Sequence, residues 1–531
     1  MIDPHNFSQP SVKSTECRSA STDELLGYSP LHGEDDLKRT MFTARAAQKE
    51  WAALPVGERV KKIRKVRDYL VEHSNELAEI ISLDNGKTRN DALVAEIAPA
   101  ILAAGYYCKM APGFLQDQSL KPGNIFTSYK RSKIVHVPWG IVAVLSPWNY
   151  PFAIPFSEVI MALLAGNAVI LKTATQTQLT GMALRDCIEA ASLPAGVFTF
   201  LNLPGSQAGD LLLENGIDKL FFTGSVPVGQ YLMRKAADTL TPLSLELGGN
   251  DAMLVCEDAD IDRTVMGAIW GGFSNAGQSC GGVERIYVHA DVYEPFMQLL
   301  KTKVESLRVG SGLDYTMDMG AMTTRNQLEK VQSHIDDALA KGAVIYAQSK
   351  LPDDPGLKNF LPAMVLSQVN HHMLVMQEET FGPVVAVMKV KDMEEAIRLA
   401  NDSDLGLTAS VWSRSNARAE KIARQLQAGA VNINDHLMSH GLAETPWGGF
   451  KKSSLGRTHG AIGFEEMTQP QVIIRDILPG EKKSMWWPPN DESIYKGMQG
   501  MTEVCYAPSL GRKLTGLKNL VKIMPRMFKE E

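Results

Sequence analysis

The chain has 531 residues, with 54 Lys and Arg against 60 Asp and Glu and a formal net charge of −6. This length exceeds what one hydrophobic core usually serves, so two or three sub-structures are expected. The slightly acidic balance argues against a nucleic-acid surface and favours small ligands. The six cysteines are scattered, without a CxxC pair or histidines at zinc-finger spacing, so the sequence predicts neither a disulfide framework nor a metal site.

The N-terminal stretch, MIDPHNFSQPSVKSTECRSASTDE, has no basic segment before an apolar core and no run of arginines, so no targeting signal is predicted. The longest apolar passage, VIMALLAGNAVIL, is interrupted by Gly166 and Asn167 and is shorter than the roughly 20 residues that a spanning helix needs. We therefore expect a cytoplasmic protein without a transmembrane segment.

The hydrophobic periodicity changes along the chain. From about residue 34 to 110, apolar residues recur at three- and four-residue spacing, which predicts helices. After about residue 137, short β-rich runs such as GIVAVLSP and DKLFFTGS alternate with helical patterns such as PFSEVIMALLAG, as in βαβ units around a parallel sheet. A second such series runs from about residue 250 to 450. The predicted fold class is α/β, with a dinucleotide-binding type of domain followed by a second α/β domain.

Two further segments, Asn124 to Pro138 and Gln469 to Ile477, alternate apolar and polar residues and are strand-like. They fit neither series of βαβ units. They could pair with each other or with another subunit, because an exposed strand invites edge pairing.

Two loop motifs carry residues suited to binding an anion. Asn149 in SPWNYPF follows a predicted strand, so its amide could donate to a developing oxyanion, although a turn asparagine is the ordinary alternative. Gly224 and Gly229 in FTGSVPVGQ resemble a phosphate-binding loop. Their spacing is not GxGxxG, and glycines in such turns also serve the backbone alone.

Two more motifs carry reactive groups. Glu246 in LELGGND ends an apolar stretch, where desolvation would raise its pKa and suit it to general-base work, although a salt-bridged or solvated glutamate is more common. Cys280 in NAGQSCGG has only small neighbours and is open to substrate, although most free cysteines are buried and inert. We expect all four motifs on loops that leave strands. Together they supply the parts for oxidising an aldehyde through a thioester.

Six motifs, in order, resemble those of the aldehyde dehydrogenase superfamily: PWNYP, FTGSVPVG, LELGG, GQSC, EETFGPV and PWGGFKKSSLGR. The resemblance covers about residues 25–480. It implies two Rossmann-like, doubly wound α/β domains and a small β oligomerisation element. The implied boundaries are 25–123 and 139–248 for the NAD(P)-binding domain, 249–450 for the catalytic domain, 124–138 and 451–480 for the oligomerisation element, and 481–531 for a C-terminal extension.

The resemblance also implies a mechanism. Cys280 as thiolate attacks the aldehyde carbon, and the Asn149 amide and the Cys280 N–H hold the oxyanion. Hydride passes to the nicotinamide, and Glu246 activates water to hydrolyse the thioester. The residues implied for the NAD(P) site are Trp148, Lys172, Thr175, Gly224, Ser225, Gly229, Glu379 and Phe381. Those predicted to line the substrate tunnel are Tyr150, Ile154, Ser157, Ser279, Gly281 and Trp447, a set that suggests neutral aliphatic or aromatic aldehydes.

One departure from the family pattern concerns the cofactor. Much of the family has Lys-Pro-Ser/Ala-Glu at a position where this chain reads KTAT, and that glutamate binds the adenosine ribose hydroxyls. Thr175 has no charge to repel a 2′-phosphate, and Lys172 could attract one. We therefore predict NADP or NAD as the cofactor, with acceptance of NADP favoured by Thr175.

The C-terminal extension combines basic charge with an apolar helical face. From Cys505 to Lys529 it holds six basic residues and no acidic one. The apolar face consists of Leu514, Leu517, Val521 and Met524. This pattern is similar to the tails of relatives that act on long-chain aldehydes and predicts peripheral membrane contact. The alternative is that the helix packs on the body of the protein or on a neighbouring subunit.

Other functions stay open at this stage. A succinate-semialdehyde-type dehydrogenase would need an arginine at the tunnel mouth from another loop. An acylating or reductive relative would pass the acyl group to coenzyme A, and Glu246 argues against it because a hydrolytic base competes with that transfer. A catalytically idle protein of the same fold is disfavoured by the joint presence of Cys280, Glu246 and Asn149. The two unassigned strands predict a homodimer or homotetramer.

Overall fold

The secondary structure of the computed structural model, which describes residues 12–529, alternates strands and helices over most of its length. The strands are β1 Ser14–Arg18, β2 Leu25–Pro30, β3 Gln118–Leu120, β4 Lys130–Pro138, β5 Ile141–Leu145, β6 Ala168–Lys172, β7 Phe198–Phe200, β8 Lys219–Thr223, β9 Leu243–Glu246, β10 Asp251–Val255, β11 Val283–His289, β12 Val344–Gln348, β13 Met364–Ser367, β14 Val384–Val390, β15 Leu405–Gly406, β16 Thr408–Trp412, β17 Ala430–Ile433, β18 Phe450–Lys451, β19 Ser454–Leu455 and β20 Thr468–Asp476.

The helices cover the sheets and join their strands. They are α1 Glu34–Ala53, α2 Val56–Glu72, α3 Ser74–Asn85, α4 Arg89–Ala92, α5 Ala98–Phe114, α6 Ala153–Ala165, α7 Gln178–Glu189, α8 Ala208–Glu214, α9 Val226–Ala236, α10 Ile261–Phe273, α11 Tyr293–Glu305, α12 Arg325–Ala340, α13 Leu374–Gln377, α14 Met393–Asn401, α15 Asn416–Ala423, α16 Met438–Gly441, α17 Gly460–Glu466, α18 Glu492–Tyr506 and α19 Leu510–Ile523. A π-helical turn, Leu93–Ile97, joins α4 to α5.

The first large sheet has six strands in the order β19-β9-β8-β5-β6-β7, and β5 to β9 run parallel. Strand β5 is buried on both faces, because Val142 and Val144 enter one core cluster whereas Ile141 and Ala143 enter another. From β5 the chain moves outward to β6 and β7, then returns to β8 and β9 on the other side. Such a reversal opens a crevice at the carboxyl ends of β5 and β8, where sheets of this kind bind ligands.

The second large sheet has seven strands in the order β12-β13-β14-β11-β10-β16-β17 and is parallel except for β12. Its interior strand β10 is buried throughout. The two sheets confirm the α/β, doubly wound class.

The boundary predicted at residue 451, between the catalytic domain and the oligomerisation element, does not agree with the strand pairing. Strand β19, predicted to belong to the oligomerisation element, instead pairs antiparallel with β9, placing Ser454 opposite Glu246. It closes the edge of the first sheet, so this part of the chain belongs to the site region. The functional division into cofactor, catalytic and oligomerisation domains stays a prediction.

Residues 116–137 and 470–531 form a separate compact unit. Its sheet has the order β20-β4-β3, so the two strand-like segments pair with each other. Helices α18 and α19 form a hairpin in which Gly500 and Gly516 face each other without room for a side chain on either. On α19, Leu520 and Ile523 enter the core of this unit. The predicted apolar face of α19 is exposed at Leu514, Leu517, Val521 and Met524; residues 530 and 531 of the extension lie outside the described part.

The helical run Arg89–Phe114 is long and apolar enough to cross a bilayer by composition alone, although no such segment is predicted from the sequence. Half of its most apolar window is buried inside the molecule. Ala104, Tyr107 and Cys108 pack in the core cluster that covers the first sheet, as expected of a core helix.

Candidate active site

The Cys280 loop lies between α10 and β11 and is shaped by three consecutive left-handed residues. Asn275, Ala276 and Gly277 have φ of 52°, 52° and 68°. The buried Asp91 holds this bend by accepting from the Ser274 hydroxyl at 3.1 Å and from the Asn275 N–H at 3.3 Å. The expectation that all four motifs leave strands is therefore wrong for Cys280, whose loop enters β11 from a helix.

Gly277 fits where no side chain could. A Cβ at this position would overlap the carbonyl group of Gly382, in the turn that follows Phe381. The thiol loop thus packs directly on that turn.

The Asn149 turn is held by a buried ion pair that the motif search missed. Lys87 donates to Glu96 at 2.6 Å and to the backbone oxygen of Asn149 at 2.9 Å. Glu96 also accepts the N–H groups of Phe152 and Ala153, at the start of α6. Because both charges are buried and hydrogen-bonded, this pair fixes the turn firmly.

The Asn149 amide points toward the thiol loop. Its Nδ2 donates to the Gln278 backbone oxygen at 3.1 Å, which leaves its second N–H for another acceptor. Within residues 12–529 no hydrogen bond donated by the Cys280 N–H is seen. These two N–H groups are the pair that the sequence predicts for an oxyanion.

Glu246 ends β9 and is buried, and neither of its carboxylate oxygens has a hydrogen-bond partner in the described part of the chain. Burial raises its pKa well above the ordinary value, the Glu158 carboxyl raises it further, and Arg457 opposes the rise. A carboxyl with a raised pKa is suited to act as a general base near neutral pH.

Cys280 is half-buried, and burial raises the pKa of its thiol. The carboxyl groups of Glu379, Asp251 and Glu246 add to this rise. The resting thiol is therefore protonated at neutral pH and needs a base, or the charge of a bound cofactor, to become a nucleophile.

Three cavities meet at Cys280. The largest, which we call the substrate cavity, has a volume of about 260 Å³. Of the predicted tunnel residues, Tyr150, Ile154, Ser279, Gly281 and Trp447 line it. The remaining lining residues were not predicted: Val94, Ala95, Ala98, Pro99, Leu102, Trp270, Ser274, Leu437, Met438, His440 and Gly441.

Ser157 is the tunnel residue that the structure does not place in this cavity. Ile154 stands in the first turn of α6 and reaches the cavity, whereas Ser157 lies one turn deeper and is buried. Successive turns of a helix that runs into the core reach successively deeper levels.

A second cavity of about 190 Å³, the cofactor-side cavity, lies at the carboxyl ends of β5 and β8. Trp148, Gly224, Ser225, Glu379 and Phe381 line it, together with the unpredicted Gln327 and Lys330. Gly229 does not: it lies inside α9, where a Cβ would meet Leu247, so its smallness serves helix packing.

The turn that carries Glu379 and Phe381 is held by Glu284, which accepts the Thr380 and Phe381 N–H groups at 3.1 and 2.7 Å. Glu379 itself accepts the Gly249 N–H at 3.0 Å. Burial raises the pKa of Glu379 to about 7.

Lys172 and Thr175 lie apart from this cavity, near Gly205. Lys172 is 8% exposed, and its ammonium has no ion pair among the described residues. Burial lowers its pKa to about 8. A buried ammonium without an anion fits a site that receives the hydroxyls or phosphate of a dinucleotide.

A doubly wound sheet whose strand reversal faces a cavity with a thiol is the arrangement expected of a dinucleotide-dependent oxidoreductase. The chain belongs to the aldehyde dehydrogenase family, whose family model matches residues 7–473. It is an NAD(P)-dependent enzyme of that family.

Named relatives cover most of the chain. It is 39% identical to a 4,4'-diapolycopene aldehyde oxidase from Methylomonas sp, over 91% of this chain and 89% of that protein. It is 37% identical to a putative succinate-semialdehyde dehydrogenase [NADP(+)] from Mycobacterium ulcerans, over 87% of this chain and 90% of that protein. The NAD+ complex of an aldehyde dehydrogenase from Bacillus cereus superposes with a TM-score of 0.83 at 31% identity, covering 88% of this chain and 94% of that one.

Proposed function

We propose that the enzyme oxidises uncharged, apolar aldehydes to carboxylic acids through a thioester on Cys280. The observation that carries this proposal is the position of Cys280, which lines an apolar cavity, a cofactor-side cavity and a small polar cavity at once. An aldehyde, a hydride acceptor and a water molecule can thus approach the same sulfur from three directions.

In the first half-reaction the Cys280 thiol gives its proton to the Glu246 carboxylate, and the sulfur bonds to the aldehyde carbon. The second Asn149 N–H and the Cys280 N–H donate to the resulting oxyanion. NAD(P)+, when bound, supplies the hydride acceptor. Trp148, Glu379 and Phe381 are the residues that would hold its nicotinamide end, because they line the cavity beside the thiol.

Before the second half-reaction Glu246 releases the thiol proton to solvent. Its carboxylate then takes a proton from water as the water oxygen bonds to the thioester carbon. The carbon–sulfur bond breaks, and the sulfur leaves with the electron pair. The acid departs, and a base at this position makes hydrolysis the preferred route over transfer to coenzyme A.

The lining of the substrate cavity supports an uncharged substrate. All of its lining residues lie in the described part of the chain, and none is Lys, Arg, Asp or Glu. Its one titratable imidazole, His440, is neutral because burial lowers its pKa to about 4. A substrate carboxylate would lose its hydration in this cavity without forming an ion pair. This disfavours succinate semialdehyde, the substrate after which several relatives are named.

The mouth of the cavity supports a long substrate. Val94, Leu102 and Met438 line the cavity and are also 55%, 68% and 43% exposed. An apolar chain that fills the cavity would continue over these side chains, and each buried CH₂ would add about 0.8 kcal/mol to its binding.

For the cofactor, the proposal includes NADP acceptance. Thr175 places no negative charge beside the buried Lys172, and both lie near Gly205, where backbone and ligand can approach closely. Peripheral membrane contact through α19 and assembly into a dimer or tetramer through the β20-β4-β3 sheet are further parts of the proposal.

The test is a steady-state panel of aliphatic, aromatic and carboxylated aldehydes with NAD and with NADP. We expect kcat/KM to rise with apolar chain length and to be lowest for succinate semialdehyde. A preference for the carboxylated aldehyde would overturn the substrate class, and product formation that depends on coenzyme A would overturn the hydrolytic mechanism.

A further inference from the structure

Behind Cys280 lies the third cavity, of about 10 Å³, which we call the water chamber. It has room for about one water molecule, which needs roughly 10–15 Å³. Its polar lining comes from several elements: Glu158 on α6, Thr223 at the end of β8, Glu246 at the end of β9, and His459 before α17.

These residues share a second property. Considering only residues 12–529, five buried atoms around the chamber have no hydrogen-bond partner: Glu158 Oε2, Thr223 Oγ1, Glu246 Oε1, Glu246 Oε2 and His459 Nδ1. Leaving a buried polar atom without a partner costs about 1–3 kcal/mol. Five such atoms around one water-sized space point to a built binding site for water.

We propose that Glu158 and His459 are positioning residues that hold, with Glu246, the water that hydrolyses the thioester. This inference rests on the proposed function, because it assigns the water of its second half-reaction. At neutral pH Glu158 and Glu246 carry at most one negative charge between them, so when Glu246 accepts the proton of the water, Glu158 holds the shared proton and donates a hydrogen bond into the chamber. His459 Nδ1 and the Thr223 hydroxyl orient the water toward the sulfur.

The hydrolytic step balances without another reactant. A water O–H bond breaks, its proton goes to the Glu246 carboxylate, and its oxygen bonds to the thioester carbon. The carbon–sulfur bond breaks and its electron pair goes to Cys280. The proton on Glu246 then passes to the Cys280 thiolate, which restores the thiol and the Glu246 carboxylate.

The charge state follows from the groups that face Glu158. Glu246, His440, His459, Cys280 and Tyr107 surround it, and only burial shifts its own pKa, which rises to about 8. Beyond Glu246 stand Arg457 and Glu466, which act on that carboxyl in opposite directions. Two carboxyls that share so small a buried space do not both ionise at neutral pH.

Glu158→Leu removes both oxygens, and Glu158→Gln keeps an oxygen and a donor, so the two form a matched pair. We expect Glu158→Leu to keep a rapid burst of NAD(P)H close to one per active site and to lower the steady rate at least about ten-fold, with KM little changed. Glu158→Gln should keep the steady rate at pH 7 and abolish the fall in kcat that we expect for the wild type above about pH 8, where the carboxyl pair loses its shared proton.

Two results would overturn this role: a Glu158→Leu enzyme with the wild-type steady rate, or one whose burst is lost because hydride transfer has slowed. If Glu158→Leu does not fold, the Glu158→Gln pH profile decides, and an unchanged alkaline limb contradicts the proposal. Failure of the proposed function is distinct, because it would appear as NAD(P)H formation that persists in Cys280→Ala.

Discussion

The substrate cavity and the water chamber lie against the same sulfur and share Ile154, His440 and Trp447, but the rest of their linings differ. The first has about 260 Å³ and a lining without formal charge. The second has about 10 Å³ and carries two carboxyls and an imidazole with unpaired atoms. The difference indicates that the protein separates the aldehyde's tail from the water.

The largest effect is expected where the two spaces meet. Cys280→Ala removes the nucleophile and should lower kcat for NAD(P)H formation at least about 1000-fold, because covalent catalysis has no substitute at this position. Initial rates at saturating aldehyde measure it. Cys505→Ala, at the other half-buried cysteine, is the control and should keep wild-type rates. Equal rates in both variants would contradict the covalent mechanism.

The apolar side of the comparison is tested at the mouth of the substrate cavity. Leu102→Asp places a charge on an exposed lining position, so kcat/KM for a ten-carbon aldehyde should fall about 10–100-fold while that for a two-carbon aldehyde changes little. Leu339→Asp, on the exposed face of α12 and away from the lining, serves as the matched control. A fall that is equal for both aldehydes would show that the tail does not lie on Leu102.

Lys172 is a second buried polar group, and its ammonium has no ion pair among the described residues. Thr175→Glu adds a carboxylate near this ammonium, which would bind ribose hydroxyls and repel a 2′-phosphate. We expect the ratio of kcat/KM with NADP to that with NAD to fall about ten-fold or more. Thr175→Gln has a similar size without the charge and should change the ratio much less; the same shift in both variants would assign the effect to size.

The last prediction concerns stability, and not catalysis, at the water chamber. Burial raises the pKa of Glu158 to about 8, so the folded protein holds this proton more tightly than the unfolded chain. The stability gained from that proton is complete below the ordinary glutamate pKa and is lost as the pH rises toward 8. Glu158→Gln should therefore lose about 3–4 kcal/mol less between pH 5 and pH 8 than the wild type. Urea unfolding at the two pH values measures the change in unfolding free energy. Equal losses in the wild type and in Glu158→Gln would show that the Glu158 carboxyl is solvated in the folded protein.

Much of the fold and part of the site could be predicted from the sequence. The βαβ alternation gave the two sheets because fully buried parallel strands are short apolar runs, and the paired strands β4 and β20 were visible by their alternation. Asn149 and Cys280 stand in short local motifs, and the structure brings them together through Gln278.

The remaining parts depend on contacts between distant segments. Glu158 and His459 belong to no motif, and they meet only because α6 and the loop before α17 pack on the end of β9. Val94 and Leu102 looked like ordinary helix residues, because the sequence does not show which helical face the π turn at Leu93–Ile97 directs toward the cavity. Ser157 was wrongly predicted to line the substrate cavity. Its spacing from Ile154 shows that the two share a face of α6, but not how far along the helix the cavity extends.

Gly277 sets a distance as well as a backbone angle. Because the thiol loop touches the turn after Phe381 through the space that a side chain would fill, even one methyl group at position 277 would have to push the two loops apart. Gly277 therefore couples the position of the Cys280 loop to that of the turn carrying Glu379 and Phe381, and an alanine at position 277 would displace one from the other.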